Sequence, residues 1–307
     1  MRIHTLKLGT VGLLVAAAMP AAALAQDAKA AKIIATTRTA IGAGKLDAMK
    51  TFSLQASTER NLGQVQITGE VDLLLEMPDK YLRSEASRGA VSMTMNSGFN
   101  GDKAIMPAGT SMMPGGGMMV RMGPGGAVPA EAARLTDEQK DEINKSMVRA
   151  ARSEVSRMML GWFGAAHPSL GAHYTYAGEA ESPDGKAHVI DVKDADGFEA
   201  RLFIDQKSSL PLMVTYKGRA PRVVMSNGPA GRGAQALTHA AGQAAAEQPL
   251  VELALFFEDW RQADGINFPH VMRRAAAGET TEQWTINKVK VNPKIDTKKF
   301  DVGDGRS

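Results

Sequence analysis

The chain has 307 residues, 44% of them apolar and 22% charged, which is ordinary globular usage and enough to bury one core. Its formal charge of +3 falls to 3 − 2 = +1 without Arg2 and Lys7, which removes the electrostatic support for a nucleic-acid role. With no cysteine, a disulfide framework and a lipid on an N-terminal cysteine are both excluded.

Arg2 and Lys7 flank an apolar run from Leu8 to Met19, and Ala23-Leu24-Ala25 is a small-x-small motif before Gln26. This is the pattern of a secretory signal peptide over residues 1–25, cleaved after Ala25. The run is short for a membrane span, and no other stretch has the apolar length to cross a bilayer. Residues 26–307 read as a single domain with flexible insertions near 107–130 and 218–249.

Ala28 to Ile41 is predicted helical, with Ala30, Ile33, Ile34, Thr37 and Ile41 on one face and Gly42 and Gly44 ending it. Thr51 to Ser57 alternates, with Phe52, Leu54 and Ala56 on one side. Gln64 to Glu76 places Val65, Ile67, Val71, Leu73 and Leu75 on one face and polar residues on the other, broken by Leu74 alone. Period-two alternation of this kind belongs to an antiparallel sheet with one dry face. Lys80 to Ser87 and the alternating Val91, Met93 and Met95 add strands, and Asn100-Gly101 marks a turn.

Met106 to Pro129 is rich in Gly, Pro and Met, and is expected to form a mobile loop. A long helix follows from Asp137 to Phe163. Thr136 and Gln139 have capping-box spacing, Ile143, Met147, Ala151, Val155, Met158 and Trp162 make an apolar stripe, and Gly161, Gly164 and Pro168 end the helix. Short turns then separate strands at His173 to Glu179, Lys186 to Lys193, Phe198 to Asp205 and Leu210 to Lys217, which predicts a sequential meander. Gly218 to Gln248 is a second low-complexity excursion.

Val251 to Arg274 reads as a hairpin about Asp264-Gly265, a dipeptide whose residues tolerate the positive φ of a tight turn. Its first arm is apolar on nearly both faces and belongs inside a sheet. Pro269 lacks a ladder donor and predicts an irregularity or an edge in the second arm. Thr281 to Val291 is the last strand, with a bulge where its apolar face switches between Ile286 and Val289. The order of elements predicts an α+β fold: a strongly curved antiparallel β-sheet with helices covering the concave face.

Four stretches carry a resemblance to a known family: GEVDLLLEMPDKYLRSE, GFNGDKAI, FEARLFIDQKSSLPLMVTY, and FEDWRQADGINFPHVM followed by WTINKVKVNPKIDTKKF. The chain resembles the outer membrane lipoprotein-sorting proteins of the LolA/LolB-like half-barrel fold. The resemblance implies an open half-barrel in the periplasm, closed by a helical lid, that shields lipoprotein acyl chains or lipid. Where that family has an arginine before the proline of the second strand this chain has Met77, and where it has an aromatic after the Gly101 turn this chain has Ile105.

The expected ligand-binding residues are Met93, Met95, Met112, Met113, Met118, Met119, Met147, Met158 and Trp162, because flexible, polarizable thioethers mould to greasy ligands. For the Met-rich loop two other readings stand beside this one: a copper(I) site, since soft ligands select that ion, and an insertion with no role. His167, His173, His188, His239 and His270 lack metal-ligand spacing. Glu258 and Asp259 are strand neighbours that point apart, and Asp264 serves a turn, so no catalytic pair emerges. Lys145, Arg149, Arg152 and Arg157 form a basic stripe suited to anionic head groups or to solvent. The expectation is a monomeric, non-enzymatic periplasmic carrier without cofactor or metal, whose partner is a lipid or lipidated protein. A non-transporting envelope sensor or protein-interaction module of the same fold is the alternative.

Overall fold

The computed structural model describes residues 21–62, 65–88, 93–106, 110–112, 118–120, 136–183, 185–219 and 249–301. Residues 1–20 of the expected signal peptide, Met113 and most of both insertions lie outside them. Helix α1 (Ala21–Ile41) and the short α2 (Ala43–Asp47) precede strands β1 (Thr51–Leu62), β2 (Val65–Glu76), β3 (Lys80–Arg88), β4 (Met93–Asn100), β5 (Lys103–Ile105), β6 (Thr110–Met112) and β7 (Met118–Val120). Helix α3 (Asp137–Phe163) leads to β8 (His173–Ser182), β9 (Gly185–Lys193), β10 (Glu199–Asp205), β11 (Pro211–Gly218), β12 (Val251–Ala263), β13 (Ile266–Ala276) and β14 (Glu279–Val291).

Twelve strands form one antiparallel sheet in the order β5-β4-β3-β2-β1-β14-β13-β12-β11-β10-β9-β8. Each half is a meander of sequence neighbours. The halves join where β14 returns to β1, pairing Phe52 with Val291 and Arg60 with Glu282. β5 and β8 are left as edges, so the sheet is open. Helix α3 touches β4 and β5 near one edge and β10, β11 and β12 toward the other, which requires the sheet to curl around it. The α+β fold with helices on the inner face of a curved antiparallel sheet is the expected one.

Register explains the core. Phe52, Leu54 and Ala56 stand beside Leu75, Leu73 and Val71 on β2, all buried on the inner face. The bulge in β14 falls where expected, because Gln55 pairs with Lys288 while Ala56 pairs with Ile286. The extra residue, Asn287, returns Val289 and Val291 to the inner phase. Phe52 meets Phe163, Phe268 and Trp162 with ring centroids 5.1, 5.6 and 6.1 Å apart, so helix and sheet share one aromatic nucleus.

The structure corrects several boundaries. α1 starts at Ala21, seven residues before the expected Ala28. Gly161 does not end α3, which runs to Phe163 and stops at Gly164 in the left-handed region with φ 66°. The Met-rich stretch is not wholly irregular, since β6 and β7 pair Met112 with Met118 and Ser111 with Met119. Pro269 lies in an interior strand, but β13 pairs with β14 only from Val271 onward, so its imino nitrogen breaks no ladder on that side.

Candidate ligand site beneath the helices

α3 is held by apolar burial and by charge. Val148, Val155, Met158, Met159, Leu160, Trp162 and Phe163 are buried against the sheet. One turn outward, Glu154 reaches Arg83 at 2.6 Å and Arg274 at 3.2 Å. The network continues through Arg83–Glu85 at 2.9 Å, Arg60–Glu85 at 2.5 Å, Arg60–Glu282 at 2.8 Å and Arg274–Glu282 at 3.1 Å. Three guanidiniums and three carboxylates balance, and Arg83 lies 4.9 Å from the centre of the Trp284 ring. Burial alone would raise the pKa of Glu282; Arg274, Arg83 and Arg60 more than offset it and hold the carboxyl at about 2. Glu154 is likewise lowered: burial opposes ionisation, but Arg83 and Arg274 prevail. Both carboxylates act as fixed acceptors that tie α3 to β3, β13 and β14.

α1 is held differently. Ala30, Thr37 and Ile41 are its fully buried residues, with Ile33 and Ile34 half-buried against the core. Thr37 brings a buried hydroxyl without a hydrogen-bond partner, a cost and not a gain. The C-terminal end is anchored. Asn267 Nδ2 donates to the Ala40 carbonyl at 2.7 Å, Arg38 pairs with Asp47 at 2.7 Å, and Lys45 Nζ donates to the Asp264 carbonyl at 2.6 Å. Gly42, at φ 143°, swivels the chain between α1 and α2 where an added Cβ would meet Ile266. Among the described side chains, the polar ties of the N-terminal half are Asp27 to His173 at 3.2 Å and to Thr175 at 3.1 Å, and Lys29 over the Tyr176 ring at 3.7 Å.

Under that half lies a half-open pocket of about 350 Å³ lined by Asp27, Ala31, Ile34, Ala172, His173 and Tyr174. Ile34, Ala172 and Tyr174 also pack on the main core, so the inner wall of the pocket is the outer layer of that core. Its volume lies in the range of small-molecule sites.

No protein-family model and no curated protein sequence matches the chain. The chain is similar to solved structures of LolA-like proteins. One is a LolA superfamily protein from Nitrosomonas europaea, 10% identical, with 88% of this chain and 96% of that one covered at a TM-score of 0.49. Another is described as an outer membrane lipoprotein-sorting protein domain from Vibrio parahaemolyticus, 10% identical, covering 90% and 97% at 0.46. A DUF1329 family protein from Desulfovibrio piger is 12% identical, covering 90% and 97% at 0.45.

The methionine candidates are dispersed. Met158 and Trp162 are core residues with no exposed surface. Met147 is half-buried on α3. Met95 is 40% exposed and stands opposite Glu85 on β4. Met93 belongs to the same strand, and Met112, Met118 and Met119 to the β6–β7 ribbon. Met95, Met147, Met158 and Trp162 do not line the pocket under α1.

The basic stripe is also divided. Lys145 pairs with Asp141 at 2.7 Å, whereas Arg152 turns to Asp102 at 3.2 Å and lies over Phe99, and Arg157 stacks 4.1 Å from Tyr216. Lys145, Arg152 and Arg157 therefore do not present one cationic face. Glu258 pairs with Arg273, Asp259 with Arg261, and Asp264 Oδ2 accepts from the Val291 N–H at 2.7 Å, so the hairpin carboxylates serve separate structural contacts.

The sequence reading missed the Arg–Glu network and the buried His167. Its signal was present: Arg60, Arg83, Arg274 and Glu282 all fall in the phase of their strands that otherwise carries apolar side chains.

Proposed function

We propose that this chain is an exported, periplasmic binding or carrier protein that shelters a hydrophobic ligand of the acyl-chain kind between the curved sheet and helix α1. The observation that carries this reading is the half-open apolar pocket under the N-terminal half of α1, whose inner wall packs on the core. Magnitudes decide which helix moves. Lifting α3 would expose seven large apolar side chains, roughly 10–20 kcal/mol as an upper bound. Lifting α1 about Gly42 exposes Ala30, Ile41 and parts of Ile33 and Ile34, on the order of 4–7 kcal/mol, and breaks the Asn267–Ala40 and Arg38–Asp47 ties together with surface pairs worth little. α1 is therefore the lid, and α3, with Met158 and Trp162, is the fixed wall. A ligand that replaces the contacts of α1 recovers the same apolar burial, so binding and release need no bond-making chemistry.

The second reading, an envelope module that contacts a partner protein, is favoured by β8, a ten-residue strand that ends the sheet and offers an edge for strand addition.

Titration with N-phenyl-1-naphthylamine, which brightens in apolar surroundings, tests the carrier reading. Wild-type protein is expected to bind the probe and release it to competing fatty acid. Ala31→Trp fills the pocket mouth and should weaken binding at least tenfold while leaving the thermal transition in place. Since the chain has no cysteine, a short thiol crosslink between Asp27→Cys and His173→Cys should close the lid and slow uptake. A wild-type protein that ignores both probe and fatty acid, or an Ala31→Trp protein that binds as wild type, refutes the reading.

A further inference from the structure

The convex face of the sheet carries a second concavity, of about 740 Å³, where the segment after β14 lies along the outer side of β1, β2 and β3. Its floor is apolar. Leu74 and Leu82 stand opposite each other in register, and Ile295 adds a third side chain. All three belong to a satellite core built on Ile105 and Phe300, away from the main core. This explains the one break in the alternation of β2: Leu74 faces outward because the C-terminal segment covers that spot.

The rim is cationic. Lys288 and Lys290 point outward from β14, and Lys294 and Lys299 come from the following segment. No ion pair joins any of these four to a carboxylate among the described residues, whereas Lys80, Lys140, Lys145 and Lys193 each sit on one at 2.7–2.9 Å. The trough has two carboxylates of its own, Asp72 and Asp296. Asp72 accepts from Gln55 Nε2 at 2.7 Å, and Asp296 accepts from the Lys298 N–H at 3.1 Å. Four ammonium groups over two carboxylates leave a positive trough with an apolar bottom.

We propose that this trough binds the head of an anionic phospholipid, with its phosphate among Lys288, Lys290, Lys294 and Lys299 and its first methylenes on Leu74, Leu82 and Ile295. Two features select that ligand. Unneutralised cations around a concavity concentrate an anion. The greasy floor beside them favours an amphiphile over a bare anion, which would leave Leu74 and Ile295 half-exposed. The site is separate from the pocket under α1: it lies on the opposite face of the sheet and uses none of the same residues.

Calorimetric titration of the full chain with dihexanoyl phosphatidylglycerol, below its micelle concentration, tests the proposal. Dihexanoyl phosphatidylcholine and inorganic phosphate serve as comparison ligands. The anionic lipid is expected to bind at least tenfold more tightly than either, with affinity falling as salt rises. Lys290→Gln/Lys294→Gln, both on exposed side chains, should weaken it about tenfold or more. Leu74→Thr should weaken the lipid and leave inorganic phosphate unchanged. Ala31→Trp, which blocks the other site, should leave lipid binding intact. Absence of lipid binding, or binding indifferent to the double lysine variant, overturns the proposal. Inorganic phosphate bound as tightly as the lipid also overturns it, by showing an anion site that ignores the apolar floor. Loss of lipid binding in Ala31→Trp overturns it by placing the lipid under α1.

Discussion

Arg83 occupies a place where the alternation of β3 leads one to expect an apolar side chain, since Tyr81 before it is buried in the core. Such a charge survives only with partners, and here Glu85 and Glu154 supply them. Removing Arg83 leaves Glu85 to Arg60 and Glu154 to Arg274 but tips the network to three carboxylates over two guanidiniums, so Arg83→Ala should cost about 3–5 kcal/mol in urea unfolding. A double-mutant cycle with Glu154→Ala should show coupling between them. Glu282 makes the same network pH-dependent. Its folded pKa of about 2 lies below the ordinary 4.5, so its contribution is present above 4.5 and is lost as pH falls toward 2. His167 acts over a higher range. Burial first, and then Arg152, push its pKa down to about 4 from 6.5, against the pull of Asp79. The unfolded chain takes up that proton first, so stability declines from pH 6.5 to 4. Acid titration of stability should show both declines, with His167→Asn removing the upper one and Glu282→Gln the lower. An unchanged slope between pH 6.5 and 4 in His167→Asn would rule out that assignment. In the sequence, charges in the apolar phase of four strands and Leu74 out of phase were the legible traces of the inner network and the outer trough. Which charge meets which was not legible, because the partners lie up to 222 residues apart.

At the scale of elements, local chemistry was largely readable. The Asp264-Gly265 turn has φ of 48° and 79°, both positive as the tight hairpin turn requires. The capping box of α3 forms as spaced, with Thr136 Oγ1 accepting from the Gln139 N–H at 3.3 Å and Gln139 Oε1 accepting from the Thr136 N–H at 2.9 Å. Gly161 was misread because glycine near a helix end usually marks the stop, whereas here it admits a neighbour. A Cβ at this position would fall on the ring of Phe257. The usual gain of about 1 kcal/mol from Gly to Ala in a helix should therefore reverse. Gly161→Ala is expected to lose about 1–3 kcal/mol through overpacking, and Gly161→Ala with Phe257→Leu should recover part of it. A more stable single variant by thermal melting would show that α3 does not press its backbone onto β12.

The whole molecule was legible as a class and not as a pairing. Alternating strands with short turns predict one curved sheet with a sequential meander in its second half, but the β1–β14 seam joins residues from opposite ends of the chain. No local signal specifies such a contact, because its loop-closure cost is met only by the assembled core. The same holds for the lid: α1 and α3 were both readable as helices facing a sheet, and only the packed structure shows how unequal their attachment is. That inequality predicts a gradient of local stability. Amides of α1 between Asp27 and Thr37 cover a pocket and few apolar contacts, while those of α3 from Val155 to Phe163 lie over the aromatic nucleus. Opening of the first should be local and hinged at Gly42, and opening of the second should require global unfolding. Native-state hydrogen exchange is expected to find α1 protected at least about a hundredfold less than α3, a gap of roughly 3 kcal/mol at ten per 1.4 kcal/mol. A fatty acid seated under α1 should narrow that gap, because ligand bound to the closed state stabilises it by mass action. It should leave the α3 amides nearly unmoved when they are compared at equal global stability. If α1 and α3 instead exchange together, as one cooperative unit with or without fatty acid, the helix is part of the core and the hinge at Gly42 does not operate.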